Sequence, residues 1–281
     1  MEAQSTTATV GKAVEGGFAE MSRTMWSAGD FVRVAARLVL VGEVLCRSVD
    51  VHAGERVLDV AAGSGNAAIS AARRGARVTA SDFVESLLEA AQTRAQIEGL
   101  SLAVAVADAQ ELPFEDESFD VVLSTFGVMF APDQQRAAEE LLRVCRPAGR
   151  IGLASWVPDG LMASNQAIVQ KHAPPPSSAA GMRRPVEWGE ESRLRELFDG
   201  HVSEVRTERR TIELCATSAA ELVQFNRTWF GPARTAFARL DDAGQASLAA
   251  DLTAALERFN RATDGTLVAE AEYLEVVAVK A

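Results

Sequence analysis

The chain of 281 residues is long enough to bury a full core, and we expect one domain that carries an insertion. Its 28 Lys and Arg against 39 Asp and Glu give a formal charge of -11, which opposes binding to nucleic acid and to anionic membranes. No apolar run approaches ~20 residues, and Met1 to Val10 lacks the charged start and apolar stretch of a signal peptide, which predicts a cytoplasmic location.

Residues 1–50 are predicted to be helical. One helix is expected around Val10 to Ser22 and another from about Phe31 to Val49, with the sequence MWSAGD between them. Trp26 in this link has two interpretations, a staple onto the main domain or the wall of a lid over a ligand.

From Arg56 onwards, short apolar runs alternate with amphipathic segments. Strands are predicted at 56–61, 77–81, 102–107, 119–125 and 150–156, and helices at 66–74, 84–98 and 133–145. Strands that alternate with helices are typical of a parallel sheet covered on both faces. We therefore expect an α/β fold.

The alternation ends after Trp156. Residues 157–190 contain HAPPPSSAAGMRRP, which predicts a loop or linker, and a short helix is expected at 190–198. Strands are predicted at 202–215 and 272–279, with a helical segment at 218–263 between them that includes QFNRTWFGP. These features are consistent with an antiparallel pair that closes the sheet and with a helical cap.

The three cysteines predict reduced thiols in the core. Cys46, Cys145 and Cys215 are odd in number, widely spaced and flanked by apolar neighbours. This pattern favours buried thiols over disulfides or a metal site, and we expect no bound metal.

Carboxylates follow three successive predicted strands. Asp59 precedes a turn of small residues at 61–65, and Asp82 and Asp108 end the next two strands. Ligands of open parallel sheets bind beside the carboxyl ends of the strands, so these side chains are expected to meet at one rim. Taken singly, Asp82 could instead cap a helix, as could Asp133, and Asp108 could form a turn.

The spacing of these residues permits a nucleoside ligand. Asp82 lies 17 residues after Gly65, near the ~20-residue spacing at which an acidic residue meets a ribose. Gly63, Gly65 and Ala68 also satisfy G-x-G-x-x-A, which leaves a dinucleotide open. The charge of Asp59 beside the turn favours a cationic ligand over a diphosphate.

The motifs VLDVAAGSGNAAI, SDF, ADAQELPFEDESFDVVLSTFGVMFAPD and ELLRVCRPAGRIGLASW, in this order, resemble those of class I S-adenosylmethionine-dependent methyltransferases. The similarity is to the branch of the ubiquinone and menaquinone biosynthesis methyltransferases, and it covers about Phe31 to Trp156. It implies a Rossmann-like, seven-stranded, mostly parallel sheet with helices on both faces, an antiparallel C-terminal edge pair and a helical cap. It also implies S-adenosyl-L-methionine as cofactor and a small-molecule methyl acceptor as partner.

On this reading the chain divides into four parts. Residues 1–50 would cover the cofactor site, and residues 51–156 would form the cofactor-binding core. Residues 157–200 would be a variable loop and helix. Residues 201–281 would complete the sheet, with a cap inserted at 217–264, and a homodimer is compatible with the sequence.

The resemblance also implies residue roles. The turn of Ala61, Ala62, Gly63 and Gly65, with Asn66 beside it, would pack on the methionine part of the cofactor, and Asp59 would support its amino group. Asp82 would accept hydrogen bonds from the ribose, Phe83 would lie against adenine, and Asp108 with Ala109 would bind the adenine edge. Ser124 and Thr125 would face the methionine end, and Trp26 and Asp30 would fold over the cofactor.

The chain departs from this family at a few positions. Ala61 replaces the usual first glycine, and Ala148 stands in the turn before the fifth strand. Met129 and Phe130 stand where relatives often carry a His pair, so no catalytic base is assigned. His172 in the variable loop is a weak candidate, against the alternative of a solvated loop histidine.

Methyl transfer from a sulfonium needs positioning more than a dedicated base. The expected acceptor pocket is apolar and aromatic, with half of its members allowed to be ordinary core, and consists of Met25, Phe126, Met129, Phe130, Trp156, Phe225, Trp229 and Phe230. A hydrophobic or aromatic metabolite is therefore the expected acceptor, with O-, N- and C-methylation all open. The alternatives are an NAD(P)-dependent oxidoreductase, although the single tyrosine, Tyr273, lies in the last strand, and a non-catalytic nucleoside-binding protein.

Overall fold

A computed structural model describes residues 20–175 and 183–281. The predicted helix around Val10 to Ser22 lies mostly outside these ranges. Within the part described, one sheet of seven strands has the order β3-β2-β1-β4-β5-β7-β6. The strands are β1 (Arg56–Val60), β2 (Arg77–Asp82), β3 (Ala103–Val106), β4 (Phe119–Thr125), β5 (Cys145–Trp156), β6 (Val202–Ala216) and β7 (Leu267–Lys280).

Strand direction confirms the predicted fold class. The first five strands pair in parallel, whereas β7 runs antiparallel to both β5 and β6. Val57, Leu58 and Val60 of β1 are buried because helices cover both faces of the sheet.

Helices lie before, between and beyond the strands. Residues 20–27 are helical (α1). The others are α2 (Phe31–Ala35), α3 (Val39–Ser48), α4 (Asn66–Arg73), α5 (Glu85–Ile97), α6 (Gln134–Val144), α7 (Leu161–His172), α8 (Glu191–Leu197), α9 (Ala219–Trp229), α10 (Gly231–Ala238) and α11 (Asp242–Arg258). Helices α9 to α11 lie between β6 and β7, in the region where the sequence predicts a helical cap, and are called the cap below. The bounds of the four predicted parts of the chain remain a prediction.

Helix α7 corrects the sequence prediction of a loop or linker over 157–190. The Pro-rich and Ser-rich composition that suggests a loop begins only at His172, at the end of this helix. Residues 161–171 carry no proline and several good helix formers, so the helix forms. Strand β7 also begins earlier than predicted, at Leu267, because it pairs with β6 as far as Ala216.

The cysteines divide into two kinds. Cys46 and Cys145 are buried free thiols, and burial raises the pKa of Cys46 to about 12 and that of Cys145 to about 11. Cys215 is exposed on the edge strand β6, so its prediction as a core thiol is wrong. Among residues 20–175 and 183–281, no helix combines the length and apolar character needed to cross a bilayer.

Candidate functional site

A cleft lies at the carboxyl ends of β2, β1 and β4, and helix α2 forms its opposite wall. It encloses about 670 Å³, part of which is open to solvent. The residues that line it are Trp26, Phe31, Ala35, Leu38, Ala61, Ala62, Gly63, Ser64, Asn66, Asp82, Phe83, Leu87, Thr125, Phe126, Gly127 and Phe130.

The turn between β1 and α4 brings backbone rather than side chains to the cleft. Ala61, Gly63 and Gly65 all have left-handed backbone angles, with φ of 52°, 54° and 83°. A Cβ atom on Gly63 would lie 3.0 Å from the ring of Phe31, and one on Gly65 would lie 2.8 Å from the Cβ of Ala91. Side chains are therefore excluded where the turn meets its neighbours, and the backbone stays accessible to a ligand.

Asp82 is the strand-end carboxylate that reaches the cleft. One carboxylate oxygen accepts a hydrogen bond from the backbone N–H of Gly63 and the other from the N–H of Val84, each at 2.9 Å. The side chain is 5% exposed, and burial raises the pKa of Asp82 while these backbone hydrogen bonds lower it. Each oxygen retains a lone pair for a ligand hydroxyl. Helix α5 has Val84 as its N-cap without a side-chain cap bond, so Asp82 is not the capping residue.

Asp59 lies behind the turn rather than in the cleft wall. It is fully buried, and one oxygen accepts from the N–H of Ala68 in the first turn of α4 at 2.8 Å. Its second oxygen has no hydrogen-bond partner among the described residues. Burial, with a smaller contribution from the charge of Asp82, raises the pKa of Asp59 to about 7.

Three further polar residues near strand ends, Asp108, Asp133 and Ser124, make local hydrogen bonds. Asp108 accepts from the backbone N–H and the side-chain amide of Gln110, at 2.8 Å and 3.0 Å, which is the turn-forming alternative. Asp133 caps α6 through the N–H of Arg136. The hydroxyl of Ser124 donates to the carbonyl of Val60 at 2.7 Å and so ties the end of β4 to β1. Asp108, Ala109 and Ser124 do not line the cleft.

Trp26 packs against three aromatic rings while it lines the cleft. Its ring meets Phe31, Phe130 and Phe230 edge to face, with centroids 5.7, 5.0 and 5.8 Å away. It thus contacts the main domain through Phe130 and the cap through Phe230. Asp30 pairs through its carboxylate with Arg33 at 2.9 Å and lies outside the cleft wall.

The residues expected in the acceptor pocket divide into two groups. Phe126 and Phe130 line the cleft, whereas Met129 and Trp156 are buried in the core and Met25, Phe225, Trp229 and Phe230 lie outside the cleft wall. Phe126 has a left-handed φ of 57°, which is a strained conformation for a bulky residue. Its ring stacks on Trp156 with centroids 3.7 Å apart.

His172 is neither in a loop nor freely solvated. It lies at the end of α7 with its side chain 13% exposed, and its Nε2 is 2.8 Å from the carboxylate of Asp251 on α11. The loop interpretation of His172 is therefore wrong, because the histidine joins two helices. It does not line the cleft.

Sequence reasoning missed five of the lining residues, which are Phe31, Ala35, Leu38, Leu87 and Gly127. The first three are spaced at i, i+4 and i+7, so the apolar face of the segment after MWSAGD carried a usable signal. Gly127 faces Ala61 so closely that a Cβ atom would lie 2.3 Å from the Ala61 carbonyl oxygen.

Comparison with known proteins places this geometry in a family. Residues 58–153 match a family model described as a methyltransferase domain. An uncharacterized protein of Mycobacterium tuberculosis is 38% identical over 260 residues, which cover 92% of this chain and 93% of that protein. The demethylmenaquinone methyltransferase of Clavibacter sepedonicus is 43% identical over 110 residues, 39% of this chain and 44% of that one.

A solved structure shares the fold. Phosphoethanolamine N-methyltransferase 2 of Haemonchus contortus, in complex with phosphomonomethylethanolamine and S-adenosylhomocysteine, has a TM-score of 0.54 at 20% identity, and the match covers 84% of this chain and 51% of that chain. The chain belongs to the class I S-adenosylmethionine-dependent methyltransferases. It is an enzyme whose cofactor is S-adenosylmethionine, and the comparisons favour neither the oxidoreductase nor the non-catalytic alternative.

The cleft fits this cofactor in shape and charge. The turn at 61–65 leaves backbone accessible, Phe83 and Leu87 provide an apolar wall, and Asp82 supplies a carboxylate with free lone pairs. The negative charge suits a sulfonium cation better than a diphosphate.

Proposed function

We propose that the enzyme transfers a methyl group from S-adenosylmethionine to a small hydrophobic or aromatic metabolite. The observation that carries this proposal is the composition of the cleft wall, which combines the turn and Asp82 with the rings of Trp26, Phe126 and Phe130. A polar cradle beside an aromatic wall suits a nucleoside cofactor next to an apolar acceptor.

Cofactor contacts are assigned to the cleft wall. Backbone groups of Ala61 to Gly63 would hold the methionine part, with Asn66 and Thr125 beside it. Asp82 would accept from the ribose hydroxyls, and Phe83 would lie against the adenine. Asp59 and Gly65 would act by shaping the turn. Asp30 would act by shaping the lid, the name used here for α1, α2 and the link between them. Ser124 would act by holding the end of β4 in place. Asp108 and Ala109, on the loop after β3, remain proposed contacts for the adenine edge.

When bound, the cofactor supplies a sulfonium methyl that is already activated for displacement. The chain contributes binding and orientation, which can account for much of the rate of such a transfer. Asp82 is held by two backbone N–H groups, an arrangement that suits holding a ligand hydroxyl more than moving a proton. Trp26, Phe126 and Phe130 would exclude water from the acceptor's nucleophile.

Titration calorimetry with S-adenosylhomocysteine tests the cofactor site. The wild type is expected to bind, and Asp82→Ala is expected to lose about 1 to 3 kcal/mol of binding free energy through lost charge-assisted hydrogen bonds. Asp116→Ala, which removes a carboxylate that is exposed and remote from the cleft, is the matched control and should bind as the wild type does. Unchanged affinity in Asp82→Ala would contradict the assignment of the ribose contact.

The acceptor class is tested by turnover. S-adenosylhomocysteine formation would be followed over a set of phenols, aromatic amines and aliphatic amines at saturating cofactor. Faster turnover with aromatic members supports the proposal. Turnover confined to aliphatic, strongly polar members would refute it.

A further inference from the structure

Strand β7 carries a buried carboxylate with an unused hydrogen-bonding atom. Glu275 is 3% exposed, and its Oε2 has no hydrogen-bond partner among the described residues. Its Oε1 lies 3.0 Å from Nε of Arg210 on β6. A buried carboxylate oxygen without a partner is unfavourable and uncommon in folded proteins, and it calls for a ligand or a functional explanation.

A buried phenol lies two residues away on the same face of the strand. Tyr273 is 2% exposed, and burial, followed by the charge of Glu275, raises the pKa of Tyr273 to about 12. The phenol is therefore protonated at neutral pH, so its hydroxyl can donate a hydrogen bond as well as accept one. The two side chains together offer one acceptor and one donor.

The register of the sheet connects this pair with the cleft. The cleft spans β2, β1 and β4, and the next strands in the sheet are β5 and β7. Thr125 of the cleft wall is opposite Ala154 of β5, which is opposite Glu275 of β7, so the three side chains form one row on one face. Ala154 occupies the middle of this row, and the strands of Thr125 and Glu275 are about 10 Å apart at two inter-strand spacings.

Phe126 lies between the cleft and the phenol. Its ring lines the cleft on one side, and on the other it meets the Tyr273 ring edge to face with centroids 5.6 Å apart. Its left-handed backbone places the ring on Trp156 at this point instead of continuing the strand. Phe126 is thus the residue of the cleft wall that contacts Tyr273 directly.

The charges around Glu275 select among ligand types. Arg210 contacts Glu275 and also donates to Glu208, which is exposed, at 2.6 Å, and to the hydroxyl of Ser48 at 3.4 Å. Two carboxylates against one guanidinium leave the cluster with a net negative charge. It therefore suits a neutral hydrogen-bond donor and disfavours an anionic ligand.

We propose that the acceptor site extends past Phe126 and over Ala154 to Glu275 and Tyr273, and that these two residues select an aromatic acceptor bearing a hydroxyl group at its far end. The inference rests on the proposed function. It adds that the far end of the acceptor donates a hydrogen bond to Oε2 of Glu275 and meets the hydroxyl of Tyr273. Glu275 and Tyr273 are specificity residues that do not touch the reacting atoms.

The single tyrosine of the chain gives a direct probe. Protein labelled with 3-fluorotyrosine should show one ¹⁹F resonance, from Tyr273, which is followed by NMR at saturating S-adenosylhomocysteine. Titration with 4-methylphenol is expected to give a saturable shift. The near-isosteric 4-chlorotoluene, which has no donor, should bind about tenfold more weakly or not at all.

Two variants localise the effect. Glu275→Gln should weaken 4-methylphenol binding about tenfold while S-adenosylhomocysteine affinity stays at the wild-type value. Glu208→Gln is the matched control, because it neutralises the other carboxylate that pairs with Arg210, on the exposed side of the cluster. It should leave both affinities unchanged. The comparison of the two ligands uses the wild type and so does not depend on how the variants fold.

Several results would overturn the inference. They are a Tyr273 resonance that 4-methylphenol does not shift, equal affinity for the two ligands, or equal weakening by Glu275→Gln and Glu208→Gln. Each of them, found with S-adenosylhomocysteine bound, would leave the proposed function standing. Failure of S-adenosylhomocysteine to bind the wild type would instead refute the proposed function itself.

Discussion

Asp59 and Asp82 end neighbouring strands, yet they face different surroundings. The carboxylate of Asp82 lines the cleft, whereas that of Asp59 is enclosed behind the turn and anchors the start of α4 through Ala68. The difference follows from position in the strand, because Asp59 precedes the last residue of β1 and Asp82 is the last residue of β2. Proximity in the sheet thus yields one ligand-facing carboxylate and one that shapes the turn.

Asp59 should make stability depend on pH. Its pKa is about 7 in the folded chain, against about 3.9 in an unfolded one. Between these values the folded state holds a proton that the unfolded state has lost, so the free energy of unfolding falls as pH rises, by on the order of 1 kcal/mol per pH unit. In Asp59→Asn this contribution should disappear. Urea unfolding at several pH values from about pH 5 to about pH 8 measures it.

The wild type and Asp59→Asn are compared by the slope of unfolding free energy against pH. The two slopes should differ between the unfolded and folded pKa values and become parallel above the folded one. Equal slopes throughout would mean that Asp59 is ionised in the folded protein. Glu98→Gln is the control, because the pKa of this exposed carboxylate is lowered and the group is ionised in both states over most of this pH range, so its slope should match that of the wild type.

Strand-end positions could be predicted from the sequence, but side-chain orientation could not. The alternation of apolar runs and turns locates Asp82 and Thr125 at the rim, where both are found. Asp108 lies at an equivalent position but turns onto Gln110, since a local hydrogen bond to the backbone two residues on competes with any distant partner. Met129 and Phe130 are adjacent apolar residues that the sequence assigns alike to the acceptor pocket. The one-turn helix at Val128–Phe130 nevertheless directs Met129 into the core.

At the scale of elements, the link between α1 and α2 interlocks with the junction of α9 and α10. The N–H of Asp30 donates to the carbonyl of Trp229 at 3.0 Å. A Cβ atom on Gly29 would lie 2.4 Å from that same carbonyl oxygen, and one on Gly231 would lie 2.1 Å from the carbonyl oxygen of Met25. The two segments approach closely because both carry glycine at the contact.

Gly29→Ala should loosen this contact and weaken cofactor binding. Gly265→Ala is its matched control, because both glycines have φ of 87° but nothing lies within 4 Å of a Cβ on Gly265. Both variants should lose about 1 kcal/mol of stability from backbone strain. Only Gly29→Ala should also weaken S-adenosylhomocysteine binding, by about tenfold in titration calorimetry, since its clash displaces the lid that carries Trp26. Equal affinities would show that the contact does not hold the lid.

Element types were predicted well where periodicity and turn residues agreed, as in the units from β1 to β5. The sequence predicts a loop in place of α7 because the proline-rich stretch that follows this helix dominates the composition of residues 157–190. The interlocking of Gly29 with Trp229 could not be predicted, since it joins residues far apart in the chain and depends on how the cap is placed. Pairings of this kind carry no local sequence signal.

At the scale of the whole molecule, the same helical segment contacts both the cleft and the cap. Helix α2 supplies Phe31 and Ala35 to the cleft wall. The guanidinium of Arg33 lies 4.4 Å from the ring of Trp229, and that of Arg37 lies 4.3 Å from the ring of Phe225, both on α9. Arg37 also donates to the carbonyl of Cys215 at the end of β6. The lid and the cap are therefore joined at several points by contacts that a ligand need not touch.

This joining predicts that cofactor binding stabilises the cap. Helices α9 and α10 contribute no described residue to the cleft wall, so a ligand confined to that wall should leave their amides unaffected unless the lid transmits the effect. Hydrogen exchange with and without S-adenosylhomocysteine should show slower exchange in α2 and, about equally, in α9.

The double variant Arg33→Ala/Arg37→Ala should keep the protection in α2 and reduce it in α9, because it removes both ring contacts and the bond to Cys215 but leaves the hydrogen bond from Asp30 to Trp229. Lys171→Ala, at an exposed ion pair between α7 and α11, should retain both effects. Protection confined to α2 in the wild type would refute the coupling. Protection of both helices in the wild type would show that the contacts between α2 and α9 transmit the effect of cofactor binding to the cap.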